Sequence, residues 1–261
     1  MNSIFVNDKL LVLAYDQGLE HGPVDFNLDN CDPKNIFEIA LQGGFTGIVV
    51  QPGIAEKYYP EYKNKLNLIV KLNGKTKLKS GEPLSLSNCS VKRAVKLGAV
   101  AVGYTIYVGS EHEHKMFKEF GEIVEEARNW KVPVIAWMYP RGKNIPDPLN
   151  TDVLAYAARV GLELGADIVK VRYNGDLGGF KWLVKNAGRT KVAVAGGPKI
   201  PDFSFLKTVE EVMSAGAVGM ILGRNIWQHP NPLKISEAVR KIIFEGQTAE
   251  EAIKVLHESG N

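Results

Sequence analysis

The run Leu164-Gly165-Ala166-Asp167-Ile168-Val169-Lys170-Val171-Arg172-Tyr173 holds three signals in succession: the end of an amphipathic helical segment, a glycine suited to a left-handed helix stop, and a short apolar strand. The same junction recurs at Leu97-Gly98-Ala99-Val100 and at Ala215-Gly216-Ala217-Val218. A helix-to-strand joint that repeats along a chain is the signature of successive βα units. Working outward from it, strand-length apolar runs fall at 10–16, 47–51, 68–72, 100–107, 132–139, 167–173, 191–195 and 218–223. Most are apolar on both faces, as strands of a buried parallel sheet should be. Helical period fills the intervals at 33–41, 91–97, 113–130, 152–164 and 205–214. Thr208 and Thr248 each stand three residues before a glutamate, in the capping-box spacing. Gly43, Gly98, Gly165 and Gly216 suit left-handed helix ends. Eight strands with no reversal of order predict a closed (β/α)8 TIM barrel, one α/β domain over residues 1–261. A doubly wound open sheet is the alternative.

Composition agrees. A closed barrel of this kind takes about 250 residues, and this chain has 261. Apolar residues make up 45% and charged residues 23%, which excludes a disordered chain. A net charge of +3 is too mild for a nucleic-acid binder. Residues 1–10 lack a secretory pattern, and no apolar run approaches the ~18 residues of a membrane span. Cys31 and Cys89 lie at no metal-ligand spacing and read as reduced thiols. The chain is therefore expected to be soluble and cytoplasmic, with no nucleic-acid or membrane partner, no cofactor and no metal.

In such barrels chemistry sits where strands end and βα loops begin. Lys170 lies inside an apolar strand, where an unpaired ammonium is costly to bury. Alternation puts Ile168, Lys170 and Arg172 on one face. If that face is the barrel interior, burial and the Arg172 cation both disfavour a charged lysine, whose ordinary pKa is ~10.4. A neutral amine there can attack a carbonyl and form a Schiff base. A lysine that reaches solvent or pairs with a carboxylate remains open on position alone. Trp137 and Tyr139 share a face of the neighbouring strand, and Tyr139 is a candidate proton carrier, with core filling as the plainer role. Asp16 closes the first strand and opens a glycine-rich loop, a position that suits proton transfer or a substrate hydroxyl. Gly196-Gly197 and Gly223-Arg224 end strands 7 and 8, the loops where barrels often bind phosphate; glycine lets backbone N–H groups come close and Arg224 adds charge. Arg141 and Arg172 are counted with the substrate-binding candidates. His112 and His114 read as a solvated helix start, whereas His21, in the first loop beside Glu20, is placed to reach the far end of a substrate.

These strand ends occur together with Leu-Ala-Tyr-Asp (13–16), Glu-His-Gly-Pro (20–23), Gly-Ile-Ala-Glu-Lys-Tyr-Tyr (53–59), Lys-Leu-Asn-Gly-Lys-Thr (71–76), Asn-Cys-Ser-Val (88–91), Gly-Tyr-Thr-Ile-Tyr (103–107), Trp-Met-Tyr-Pro-Arg-Gly (137–142), Leu-Gly-Ala-Asp-Ile-Val-Lys (164–170), Gly-Gly-Pro-Lys (196–199) and Gly-Arg-Asn (223–225). In that order, from about residue 10 to about residue 243, the chain resembles the archaeal-type class I fructose-1,6-bisphosphate aldolases of the DhnA family. The resemblance implies Lys170 as the Schiff-base lysine and Tyr139 as the general acid/base. It implies Asp16 as the carboxylate that helps interconvert carbinolamine and imine, and Trp137 as a wall of the sugar site. Gly196, Gly197, Gly223 and Arg224 would cradle the phosphate on the dihydroxyacetone side, with His21 toward the other phosphate. The implied reaction is reversible cleavage of fructose 1,6-bisphosphate to dihydroxyacetone phosphate and glyceraldehyde 3-phosphate, a step of glycolysis and gluconeogenesis, by a homo-oligomer.

A related branch, resembling 2-amino-3,7-dideoxy-D-threo-hept-6-ulosonate synthase, uses the same lysine for transaldol transfer and is the second possibility; Glu20, His21, Asn73, Lys75 and Trp137 lean toward the aldolase. A non-catalytic phosphosugar-binding barrel is the third. Two positions depart from the family pattern. Gln17 stands where many relatives have histidine, and Ala195 where some have serine.

Overall fold

Apolar strands that cannot face water on either side are satisfied by closing on themselves, and the computed structural model, which describes residues 3–258, shows that solution. The strands are β1 (Leu10–Tyr15), β2 (Gly47–Val50), β3 (Leu68–Lys71), β4 (Ala99–Ile106), β5 (Val134–Met138), β6 (Ile168–Val171), β7 (Lys191–Ala195) and β8 (Gly219–Leu222). They pair in chain order as a closed parallel barrel, β8 returning to β1 through Leu10↔Gly219 to Leu13↔Leu222. The (β/α)8 expectation holds and the open sheet is excluded. Each strand begins and ends within two residues of its expected bounds.

Side-chain alternation divides the core in two. Outward residues such as Leu11, Leu13, Ile48, Val70 and Val169 pack under the helices. Inward residues Leu10, Val12, Val49, Ile69, Ala101, Ile135, Ile168 and Ile221 fill the barrel axis together with Ile4 from the N-terminal segment. Ile4 and Phe5 thus plug the end where the strands begin, which leaves the other end for a cavity.

The helices Glu113–Trp130, Pro33–Gln42, Val91–Lys96 and Thr151–Glu163 lie where the period places them. Two crossover helices, Pro52–Tyr58 and Leu177–Asn186, carry no clear period because each buries only two residues. One cap differs from expectation. The helix before β8 starts at Asp202, so Thr208 lies inside it and its hydroxyl donates back to the Ser204 carbonyl at 3.0 Å instead of capping. Thr248 and Glu251 do form a capping box. Gly98, Gly165 and Gly216 have positive φ as expected, but at the first helix end Gly44 (φ +66°), not Gly43, takes the left-handed turn. Cys31 and Cys89 are free thiols. No helix among the described residues is long and apolar enough to cross a membrane.

The closing seam depends on one missing side chain. Gly219 has φ +148°, and a Cβ there would stand 1.8 Å from the carbonyl oxygen of Leu10 on β1. Gly219→Ala is expected to cost about 2–4 kcal/mol and to lower the thermal midpoint by roughly 5–15 °C, checked by calorimetry against the parent chain. An unchanged midpoint would contradict the seam as drawn.

Candidate active site

The open end of the barrel holds a cavity with about 640 Å³ of empty space, mouth included, within the ~300–1,000 Å³ usual for small-molecule sites. All the candidates from the sequence line it: Asp16, His21, Trp137, Tyr139, Arg141, Lys170, Arg172, Gly196, Gly197, Gly223 and Arg224. Five strands and the first loop contribute, so only the closed sheet assembles them.

Lys170 points inward from β6 and is 5% exposed. Its Nζ lies 5.0 Å from the centroid of the Trp137 ring, the residue paired with it in register on β5. The indole reaches over β4 because Gly103 has no side chain; a Cβ there would come within 2.1 Å of the ring. Burial, the largest influence, pushes the Lys170 amine down to about 8; Lys71 and Arg172 add to the fall, while Asp16 and Glu20 oppose it. A substantial share of the amine is therefore neutral near pH 8. The alternatives left open by position do not describe it. Lys170 neither reaches solvent nor forms an ion pair within 4 Å among the described residues.

The carboxylate of Asp16 pairs instead with Lys71, which the sequence reading passed over. Lys71 is 2% exposed, its Nζ 3.5 Å from Asp16 Oδ2 and 5.2 Å from the Trp137 ring centroid. The signal was available, because Ile69 and Lys71 alternate on β3 as Ile168 and Lys170 do on β6. Lys71 thus engages the carboxylate that would otherwise favour the charged form of Lys170.

Tyr139 follows β5 on the same inward face as Trp137. Burial and the nearby Asp16 carboxylate hold its phenol well above the usual tyrosine range, against the pull of Arg172 and Arg141. It therefore keeps its proton, ready to donate. The Arg172 and Arg141 guanidinium carbons lie 5.5 and 5.9 Å from its ring centroid, placed to stabilise a transient phenolate.

The loops after β7 and β8 are built as one piece. Asn225, 3% exposed, donates to the carbonyls of Gly196 (2.8 Å) and Pro198 (3.0 Å) and accepts from the Ile200 N–H (3.1 Å). Gly197 has φ +68°. A Cβ at Gly223 would come within 2.4 Å of Gln17 Nε2 from the first loop, so the glycine admits that side chain. Arg224 lies 3.6 Å from Asp25, whose other carboxylate oxygen bonds His21 Nδ1. Gln228 Nε2 also donates to the Asp25 carbonyl at 2.9 Å. His21 thus pairs with Asp25, which also lies near Arg224. Lys75 lies outside the cavity, and Asn73 stands behind its wall. No group of three or more metal-binding side chains occurs among the described residues.

The chain is similar to known proteins. The pattern described as DeoC/LacD family aldolase matches residues 10–229. The chain is 48% identical over 250 residues to the class 1 fructose-bisphosphate aldolase of Thermoproteus tenax, an alignment covering 95% of this chain and 94% of that one. It is 39% identical over 267 residues to a Methanocaldococcus jannaschii protein named fructose-bisphosphate aldolase/6-deoxy-5-ketofructose 1-phosphate synthase, covering 95% and 86%. A solved archaeal fructose-1,6-bisphosphate aldolase, its catalytic Lys covalently bound to the carbinolamine intermediate of the substrate, superposes with a TM-score of 0.87 at 47% identity, covering 92% of this chain and 96% of that one.

A buried amine with a lowered pKa has a stability cost that can be measured. Between about 8 in the folded chain and 10.5 in the unfolded one, the unfolded state binds more protons at this position, so the Lys170 contribution becomes more favourable as pH rises through that window. Lys170→Met is therefore expected to be more stable than the parent at pH ~7, by on the order of 2–3 kcal/mol, and to lose that advantage toward pH ~10.5. Urea titrations of both proteins across that range check the sign; an advantage independent of pH would contradict it.

Proposed function

We propose, on the premise that the chain belongs to the DeoC/LacD family of aldolases, that it is a class I aldolase working through an imine at Lys170. Its substrate is fructose 1,6-bisphosphate, cleaved reversibly to dihydroxyacetone phosphate and glyceraldehyde 3-phosphate. The observation that carries this reading is the Lys170 amine, buried beside Trp137 with its pKa pushed down to about 8, at the floor of a cavity lined by three arginines.

The neutral amine attacks the ketone carbon C2 and forms a carbinolamine. Asp16, held by Lys71, moves the proton that lets the carbinolamine oxygen leave as water and a protonated imine form. The imine accepts the electron pair of the C3–C4 bond as that bond breaks, giving an enamine and releasing the aldehyde. In the condensation direction the enamine carbon attacks the aldehyde, and the alkoxide that forms at C4 takes the proton of Tyr139; cleavage is the reverse. After cleavage, protonation of the enamine at C3 regenerates the imine, and water hydrolyses it to release the second product. The raised pKa of Tyr139 suits the acid role, and Arg172 and Arg141 suit the brief phenolate.

The Gly196-Gly197 and Gly223-Arg224 loops suit the phosphate on the ketone side, and Arg141, in the loop after β5, three strands away from β8, suits the second phosphate. An incoming phosphate competes with Asp25 for Arg224 and His21. Two unbridged thiols suit a reducing cytoplasm. Tyr156 and Trp182, 68% and 53% exposed on adjoining helices, suit a self-association surface and hence the homo-oligomer the resemblance implies.

Borohydride with dihydroxyacetone phosphate is expected to label Lys170 irreversibly in the parent chain and leave Lys170→Met unlabelled, as read by peptide mass spectrometry. EDTA is expected to leave cleavage of fructose 1,6-bisphosphate intact. Activity lost to EDTA and restored by zinc would overturn the reading, and sugar-phosphate binding without turnover would favour the non-catalytic barrel. Transaldol transfer, assayed beside cleavage, separates the ulosonate-synthase reading and the two-activity name of the Methanocaldococcus jannaschii relative. Tyr139→Phe is expected to retain labelling at Lys170 while lowering the cleavage rate by about 10²-fold or more; equal loss of labelling and cleavage would deny the tyrosine a separate proton-transfer role.

A further inference from the structure

One inward residue of the cavity wall has no part in the scheme above. Thr105, on β4, alternates inward with Ala101 and Gly103 and stands in register with Trp137, which stands in register with Lys170. Thr105, Trp137 and Lys170 thus stand in register on three neighbouring strands, and all three line the cavity. Thr105 is fully buried from bulk water, lines the cavity, and its hydroxyl oxygen has no hydrogen-bond partner among the described residues. The indole N–H of Trp137, also buried and lining the cavity, lacks a partner as well. Buried polar atoms left unpaired are costly, and a valine of the same shape would fill the wall without that cost.

The position of Thr105 is held from behind by a device that does nothing else for the cavity. β3 ends at Lys71, opposite Gly103, and the chain then turns so that Asn73 bridges to Ser87 in the antiparallel sense. The side-chain amide of Asn73 takes over the ladder on Thr105. Its Oδ1 accepts from the Thr105 N–H at 2.8 Å and its Nδ2 donates to the Thr105 carbonyl at 2.9 Å, with a further bond to the Ser85 carbonyl at 3.0 Å. Asn73 is itself fully buried. Both peptide groups of Thr105 are thus fixed beyond the end of the neighbouring strand, on a residue that lines the same cavity as Trp137.

We propose that Thr105 is a specificity-determining residue of this site: its hydroxyl and the indole N–H of Trp137 together hold the ketose hydroxyl on the carbon next to the one that bonds Lys170. A threonine hydroxyl both donates and accepts, and an indole only donates, so a substrate hydroxyl satisfies the pair where a hydrogen or methyl does not. That hydroxyl lies on the carbon that becomes nucleophilic in the enamine, so binding it also orients the reacting carbon. The proposal rests on the imine reading of Lys170.

The test compares dihydroxyacetone phosphate with hydroxyacetone phosphate, which lacks this hydroxyl, as donors in condensation with glyceraldehyde 3-phosphate. The parent chain is expected to prefer the hydroxylated donor at least tenfold in kcat/KM. Thr105→Val is expected to lower that preference at least tenfold by slowing the hydroxylated donor alone, and Thr105→Ser to keep it within about threefold. If valine prevents folding, the Thr105→Ser and Thr105→Ala pair makes the same comparison. A role in packing alone would slow both donors equally and leave the preference unchanged, which would overturn the proposal, as would a parent chain with no preference. Borohydride labelling of Lys170 by each donor is run alongside: labelling kept in Thr105→Val with the preference lost supports the proposal, while a parent chain that is never labelled removes the imine reading beneath it.

Discussion

Burying an amine among apolar strands raises the free energy of its charged form, so the proton leaves at a lower pH than from an ordinary lysine. Lys170 sits on the inner face of β6 against Trp137, and its pKa falls to about 8. The second inward lysine solves the same problem differently, by pairing with Asp16. The two solutions are complementary. If Asp16 were free to pair with Lys170, its carboxylate would favour the charged amine more strongly; it lies 3.5 Å from the Lys71 amine instead. One carboxylate shared unequally between two lysines separates the nucleophile from the ion pair.

That arrangement depends on closure of the barrel. Asp16, Lys71, Thr105, Trp137 and Lys170 come from or just after β1, β3, β4, β5 and β6, and they line one cavity only because β8 returns to β1 across Gly219. Two further glycines serve the cavity by what they omit. Gly103 leaves room for the indole of Trp137, and Gly223 for the amide of Gln17. The first loop is tied down at its far end, where Asp25 joins His21 to Arg224 and Gln228. An anion that reached Arg224 would therefore meet a guanidinium that already faces a carboxylate of the chain.

The barrel was legible because its signal repeats: a helix stop at glycine followed by an apolar strand survives small errors at any one element. The inward position of Lys170 was legible from alternation alone, and the same logic applied to β3 exposes Lys71. Other features depend on contacts between distant parts of the chain. The left-handed turn falls on Gly44 (φ +66°), where a side chain would also crowd Arg240, a neighbour nearly two hundred positions away in sequence. The helix before β8 extends back to Asp202, and Thr208, a good cap by spacing, has its turn already made. Helices Pro52–Tyr58 and Leu177–Asn186 bury too few side chains to show a period. Thr105 falls within the Gly-Tyr-Thr-Ile-Tyr motif, but no role for it follows from sequence; the grip of Asn73 and the bare hydroxyl set it apart in the structure.

The covalent role of the buried amine is tested most directly in crystals soaked with dihydroxyacetone phosphate and frozen during turnover. The account predicts continuous electron density from Lys170 Nζ to the ketone carbon, with the phosphate against Gly197 and Arg224. A sugar phosphate bound in full occupancy with its carbonyl intact, and no bond to Lys170, would contradict it.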